Sequence, residues 1–147
     1  MSKKRGNRRL SRELALRALY QWRLTGADLA RLLVQAEEAE EYADANVAFL
    51  RTLLEGVLAE AETLNQALAA HLDRPVDQLS PIEHGILLIG AYELTHSLDV
   101  PYKVAINEAV NLAKAYGGTD GHKYVNGVLD KLAKDVRRIE IEAAARP

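Results

Sequence analysis

The chain has 147 residues, 48% apolar but only 5% aromatic, with a formal net charge of −2 and no cysteine. That length allows one domain with a real core, and the absence of cysteine excludes disulfides, thiol nucleophiles and cysteine-bearing zinc sites. No apolar run reaches the roughly 18 residues that span a bilayer, and the basic start lacks the apolar run of a secretion signal, so a soluble, cytoplasmic protein with no membrane partner is expected.

Charge is unevenly placed. Lys3, Lys4, Arg5, Arg8, Arg9 and Arg12 all precede Glu13, leaving 13 basic residues against 21 acidic ones in the rest of the chain. A basic N-terminal arm (residues 1–9) on an acidic body suggests a polyanion partner. Alanine and leucine dominate and no long β-branched alternation occurs, which predicts an all-α protein in a single domain.

The first helix is predicted from about Arg9 to Thr25, with Leu10, Leu14, Ala15, Ala18 and Trp22 on one side and Gly26 as its stop. Arg8, Arg9 and Arg12 then surround its N-terminal turn, where cations oppose the helix dipole unless an anion binds the same amide end. Asp28 can cap a second helix to about Ala39, and Glu37, Glu38, Glu40, Glu41 and Asp44 read as a solvated turn. From about Ala45 to Leu72 the spacing Val47, Leu50, Leu54, Val57, Ala61, Leu64, Leu68 predicts one long helix packed in its own bundle rather than in a dimeric coiled coil.

After a break at Arg74-Pro75, "SPIE" supplies a capping box, with Ser80 as N-cap, Pro81 at N1 and Glu83 at N3. The helix it opens is apolar nearly all round and should be central. Gly85 and Gly90 within it point to close approach of neighbouring helices. Pro101 precedes another helix, with Ala105, Ile106, Ala109, Val110, Leu112, Ala113 and Tyr116 inward and Lys103, Asn107, Asn111 and Lys114 outward. "GGTDG" turns the chain, Asp120 is a candidate cap, and a last helix buries Val125, Val128, Leu129, Leu132 and Val136. Residues 140–147 are expected to fray.

Catalytic chemistry is not in view. His71, His84, His96 and His122 lack any local metal spacing, no HExxH, GxSxG or Walker A pattern occurs, and "GGTDGHK" lacks the GK[ST] ending of a nucleotide loop. No catalytic residue, metal site or cofactor is predicted, and the chain is not expected to be an enzyme. What remains suits single-stranded RNA, which needs cations for phosphates, planar side chains for unstacked bases and amides or carboxylates for base edges. Tyr102, Lys103, Asn107, His122, Lys123, Tyr124 and Asn126 supply all three types around two helix starts. Asn is a poor helix former, so Asn107 and Asn111 either face nucleic acid, where a carboxylate would repel phosphate, or Asn107 bonds the backbone of another loop.

"DVPYKVAINEAVNLAKAYG" followed by "HKYVNGVLDKLA", with an opening "RRLSRELALRALYQW", closely resembles the NusB family of bacterial transcription antitermination factors over about Arg8 to Val136. The resemblance implies six to seven helices in two small packed bundles, no catalysis, and recognition of the boxA segment of nascent ribosomal RNA. It further implies NusE, a small-subunit ribosomal protein, as partner within an RNA polymerase antitermination complex. Carried onto this sequence, the arginine-rich motif falls on Arg8, Arg9 and Arg12, a second RNA-facing element on Tyr102 and Lys103, and a third on Asp120, Lys123 and Tyr124.

Physically, the cations suit phosphates, Tyr124 and Tyr102 suit stacking, and Asp120 suits base amino groups or its own helix start. Tyr20 and Glu83 are the candidates for the NusE face. The sequence departs from the family pattern at Leu88, where arginine is expected, and at His84, where Lys or Arg is usual, which leaves less charge on that helix. Convergence of the three basic and aromatic segments into one groove is expected. The alternative class is a helical accessory domain of ribosomal RNA modification or processing. Homodimerisation is open, since no residue pattern decides it.

Overall fold

The computed structural model describes residues 7–118 and 120–146, so Lys3, Lys4 and Arg5 of the basic arm lie outside the described residues. Among these, the regular elements are helices, accompanied by one isolated backbone bridge between Asn7 and Ala45. The chain forms two compact units, the first ending at Glu60 and the second beginning at Ala61. Each is a small helical bundle.

The first unit holds α1 (Arg8–Thr25), α2 (Leu29–Glu37), a 3-10 turn (Glu40–Asp44) and the opening of α3 (Val47–Ala69). Gly26 stops α1 in the left-handed conformation, φ 71°, with its N–H donating to the Trp22 carbonyl, a geometry glycine adopts without steric cost. Asp28 caps α2 by accepting from the Arg31 amide. The acidic run is not simply solvated: it winds into the 3-10 turn, and Glu41 accepts from both terminal nitrogens of Arg17 at 2.7 and 3.3 Å. Leu14, Leu16, Leu19, Leu32, Leu50, Leu53, Leu54 and Val57 are buried in this part of the chain. The α3 seam is thus satisfied within the chain, although Val47 at its start is 36% exposed.

The second unit is built on α4 (Pro81–His96), α5 (Tyr102–Tyr116) and α6 (Gly121–Val136), which pack on one another, with α7 (Arg138–Ala145) against α6. Ser80 caps α4 by accepting from the Glu83 amide at 3.1 Å. Ten residues of α4 are buried, from His84 to Leu94, as an element apolar on all sides must be. Gly90 allows the close approach expected of it: a Cβ there would stand 2.5 Å from Cδ1 of Leu129 on α6. His84 and Leu88 are both internal. The His84 ring lies 2.7 Å from Oδ1 of Asn65 on α3, and Leu88 is buried, so the two departures from the family pattern sit inside this bundle.

Two sequence expectations change at the end of the chain. Val136, expected inward, is 37% exposed, because α6 ends there and the chain turns at Arg137 into α7 where fraying was expected. Arg137 is the buried residue instead. Its Nε donates to the Leu94 carbonyl at 2.7 Å, its Nη2 reaches the carbonyls of Glu93, Ser97 and Val100 at 3.2, 3.0 and 2.9 Å, and its Nη1 pairs with Glu140. One guanidinium thereby bonds the Leu94 carbonyl in the last turn of α4 and the Val100 carbonyl in the loop beyond it, and shares the Glu93 and Ser97 carbonyls with the amides of Ser97 and Val100.

Glu140 in turn accepts from the Tyr102 amide at 2.9 Å. That amide hydrogen bond, with Arg137 beside it, holds the Glu140 carboxyl below its ordinary value. A carboxylate depressed in the folded state adds stability that is complete above its unfolded value, about pH 4.3, and is lost as pH falls through the folded one. Glu140→Gln is therefore expected to cost stability at pH 7, with the difference from the parent narrowing as pH falls below about 4.3, so that the variant's loss of stability in acid is flatter. Urea unfolding between pH 3 and 7 measures this, and an unchanged acid limb would remove Glu140 from the account.

Candidate nucleic-acid interface

The first cationic cluster is set by Asn7, a residue that the sequence places in the basic arm. Its side chain accepts from the amides of Arg9 and Leu10 at 2.8 and 3.2 Å, which makes it the N-cap of α1. Its backbone is tied down as well, since its N–H donates to the Asp44 carbonyl and its carbonyl accepts from the Asn46 amide. The buried Ser11 hydroxyl adds a bond to the Asn46 carbonyl at 2.7 Å. The arginine turn is thereby a fixed feature of the first unit. An asparagine just before a basic helical stretch was a legible cap signal.

Within that turn the three arginines differ. Arg8 and Arg9 are exposed, whereas Arg12 is 5% exposed. The guanidinium carbons of Arg8 and Arg12 lie 4.4 and 5.0 Å from the Phe49 ring centroid, within cation–π range. Phe49 is half-buried on α3, whose start Asn46 caps by accepting from the Phe49 amide at 3.0 Å. Arg12, expected at RNA phosphates, is here packed against Phe49. Phe49 carried no signal of this role in the sequence.

The remaining candidates belong to the second unit, which does not bring them all together. A four-residue link joins α5 to α6, and helices so joined run antiparallel. The bond of the Tyr102 amide to Glu140 puts the start of α5 against α7, the helix that follows directly on the end of α6. Tyr102 and Lys103 thus lie at one end of this hairpin and Asp120, Lys123 and Tyr124 at the other, about 20 Å apart at 1.5 Å per residue. Lys103, Asn107, Asn111 and Lys114 are all exposed along α5, a polar stripe about 16 Å long. Asn107 makes no side-chain hydrogen bond with another loop among the described residues.

Asp120 occupies the N-cap position of α6, but its side chain makes no capping bond. Its carboxylate instead lies 3.6 Å from the Lys123 ammonium, both well exposed. That corrects the capping expectation and leaves the carboxylate at the surface. Tyr124 is half-buried and engaged. Its hydroxyl donates to Asp73 Oδ1 at 2.9 Å and accepts from the Asp73 amide at 3.2 Å. The Arg74 guanidinium carbon lies 5.0 Å from its ring centroid, and Arg74 is held by Asp73 through Nε at 2.7 Å and Nη2 at 3.0 Å.

Hydrogen bonds from Arg74 first and then from Tyr124 lower the Asp73 carboxyl to about 2. Asp73 in turn raises Arg74, to which Tyr124 and Glu83 make the smallest contributions. Burial pushes the Tyr124 hydroxyl up. In the sequence Asp73 and Arg74 show only as part of a helix break.

Of the residues expected on a protein partner, Tyr20 is half-buried on α1 and Glu83 half-buried on the first turn of α4. A Cβ on Gly121 would stand 3.1 Å from Oε2 of Glu83, so this carboxylate lies at the amide end of α6, where negative charge is favoured. The histidines have local neighbours as well, His71 against Asp135 at 2.7 Å and His96 on the Tyr92 ring with centroids 4.8 Å apart. Among the described residues, no helix is long and apolar enough to cross a membrane.

These features define an all-α protein of two small bundles that gathers cations and rings at helix starts. The family model described as the NusB family matches residues 9–134, and the chain belongs to that family. It is 55% identical over 141 residues to the transcription antitermination protein NusB of Thiobacillus denitrificans, covering 96% of this chain and 97% of that protein. To the protein of the same name from Bordetella pertussis it is 53% identical over 146 residues, covering 97% and 95%. Among solved structures it is similar to T. maritima NusB, with a TM-score of 0.82 at 27% identity over 94% of this chain and 99% of that one. It is also similar to a chain from the structure of antitermination factors NusB and NusE in complex with dsRNA, with a TM-score of 0.75 at 25% identity, covering 87% and 96%.

Proposed function

We propose that this protein is a cytoplasmic transcription antitermination factor that acts by binding, without catalysis. In this reading it takes up the boxA segment of nascent ribosomal RNA together with NusE and joins an antitermination complex with RNA polymerase. The observation that carries the reading is the pair Arg8 and Arg9, exposed on the first turn of α1. There the positive amide end of the helix also attracts phosphate. The names of the relatives, and the NusE and RNA partners of the similar solved structure, support it.

Arg8 and Arg9 take phosphates, while Arg12 holds Phe49 from within. Lys123 adds a further phosphate contact beside Tyr124, with Asp120 accepting from base amino groups. Tyr102, Lys103 and Asn107 meet a more distant part of the RNA, because the hairpin separates them from Tyr124. Tyr20 and Glu83 are assigned to the NusE contact. The basic arm and the helical body serve as one RNA-binding domain.

Binding of a boxA-like single strand, a scrambled single strand, an RNA duplex and a DNA duplex at several salt concentrations tests this reading, with and without NusE. The boxA-like strand is expected to bind most tightly, with a further gain when NusE is present. Equal affinity for all four would overturn specific RNA recognition, and no gain with NusE would overturn the partner assignment.

A further inference from the structure

We propose that Arg74 contacts RNA directly, its guanidinium forming with Tyr124 and Asp73 a three-residue platform on which an unpaired base stacks. The inference rests on the RNA-binding reading and names a residue that reading does not include. The Tyr124 ring cannot serve as a bare stacking surface on both sides, because the Arg74 guanidinium lies over it at 5.0 Å. Arg74 itself keeps 42% of its side-chain surface in water. The guanidinium thus adds a second, partly exposed plane beside the ring, and bases stack on arginine planes as they do on aromatic rings.

The orientation of that plane is fixed rather than free. Asp73 takes the Nε and Nη2 edge of Arg74 in a two-point pairing and is itself anchored by the Tyr124 hydroxyl and by its own amide's bond to that hydroxyl. An arginine has five N–H donors, and this pairing uses two, leaving three for a phosphate or a base edge. A surface ion pair between neighbours in sequence contributes little to stability. A closed arrangement of Asp73, Arg74 and Tyr124 makes most sense as pre-organisation of a binding surface, which reduces the ordering cost on association. Lys123, one residue before Tyr124 and 74% exposed, supplies charge for the adjoining phosphate.

The test compares Arg74→Lys, Arg74→Ala and Lys123→Ala with the parent, using the boxA-like single strand at a series of salt concentrations. Arg74→Lys keeps the charge and loses the plane, so it is expected to weaken binding about 5- to 100-fold, the range for removal of one base stack, with the salt slope unchanged. Arg74→Ala is expected to weaken binding further and to lower the slope by about 0.7. Lys123→Ala should lower the slope by a similar amount while leaving the stacking intact. Matching urea midpoints across the variants establish that folding is intact, as expected for exposed side chains.

If the parent binds and Lys123→Ala weakens it while both Arg74 variants bind like the parent, the platform is overturned and RNA binding stands. If Arg74→Lys binds like the parent and Arg74→Ala does not, only charge matters and stacking is overturned. A parent that binds no RNA overturns both readings at once.

Discussion

Arg137→Met is expected to destabilise the protein by about 3–5 kcal/mol, the cost of breaking a buried, hydrogen-bonded charge cluster. The arginine is 4% exposed and bonds the carbonyls of Glu93, Leu94, Ser97 and Val100 together with Glu140. Methionine has similar reach but no donor, so the Leu94 and Val100 carbonyls and the Glu140 carboxylate lose the guanidinium while Glu93 and Ser97 keep a backbone amide, and unsatisfied buried acceptors cost more than a mean hydrogen bond gains. In urea, with a slope of about 1–3 kcal/mol per molar, the midpoint should fall by about 1 M or more. Arg138, the next residue, is exposed, and Arg138→Met should stay within about 0.5 kcal/mol. Equal midpoints for the two variants would show that the clamp does not bear on stability.

Arg137 also marks where sequence reasoning stops. The 3.6-residue period of α6 correctly turned Val125, Val128, Leu129 and Leu132 inward, and the same period pointed Val136 inward and gave no sign of Arg137. Periodicity describes a helix that continues. The chain instead turns after Val136, and Arg137 is drawn into a site made by the end of α4 and the loop before α5. Nothing local in "DVRRIE" distinguishes the buried arginine from its exposed neighbour.

Elements with their own chemistry were legible: Gly26 and Asp28 at the α1–α2 connection, Ser80 and Pro81 at the start of α4, the all-round apolar α4 and the glycine under Leu129. The candidate site was legible as residue types and not as geometry. Lys123, Tyr124, Tyr102 and Lys103 could all be picked out. That the first two lie at the opposite end of a hairpin from the last two follows only once α5 and α6 are known to pack antiparallel. Asp73 and Arg74 were missed because a break between helices gives no periodicity from which to infer a neighbour some 50 positions away.

The arginine turn divides the same way, and it yields the second large effect. Arg8→Ala with Arg9→Ala is expected to lower affinity for RNA on the order of tenfold near 0.15 M salt and to flatten the salt slope by about 0.7 for each single-strand phosphate that is no longer neutralised. The change should fall equally on boxA-like and scrambled strands, because phosphate contacts position RNA without reading its sequence. Folding should lose only the Arg8–Phe49 cation–π contact, about 0.5–1 kcal/mol at an exposed site, since Asn7 caps the helix through amides that alanine retains.

Arg12→Ala should behave in the opposite sense. Its guanidinium lies over Phe49 and its stem is buried, so its removal takes away packing and a cation–π interaction of about 0.5–2 kcal/mol. The salt slope should then stay close to that of the parent. If Arg12→Ala flattens the slope as much as either exposed arginine does, its guanidinium leaves Phe49 when RNA arrives, and the division of the motif into two phosphate-binding arginines and one internal support is wrong.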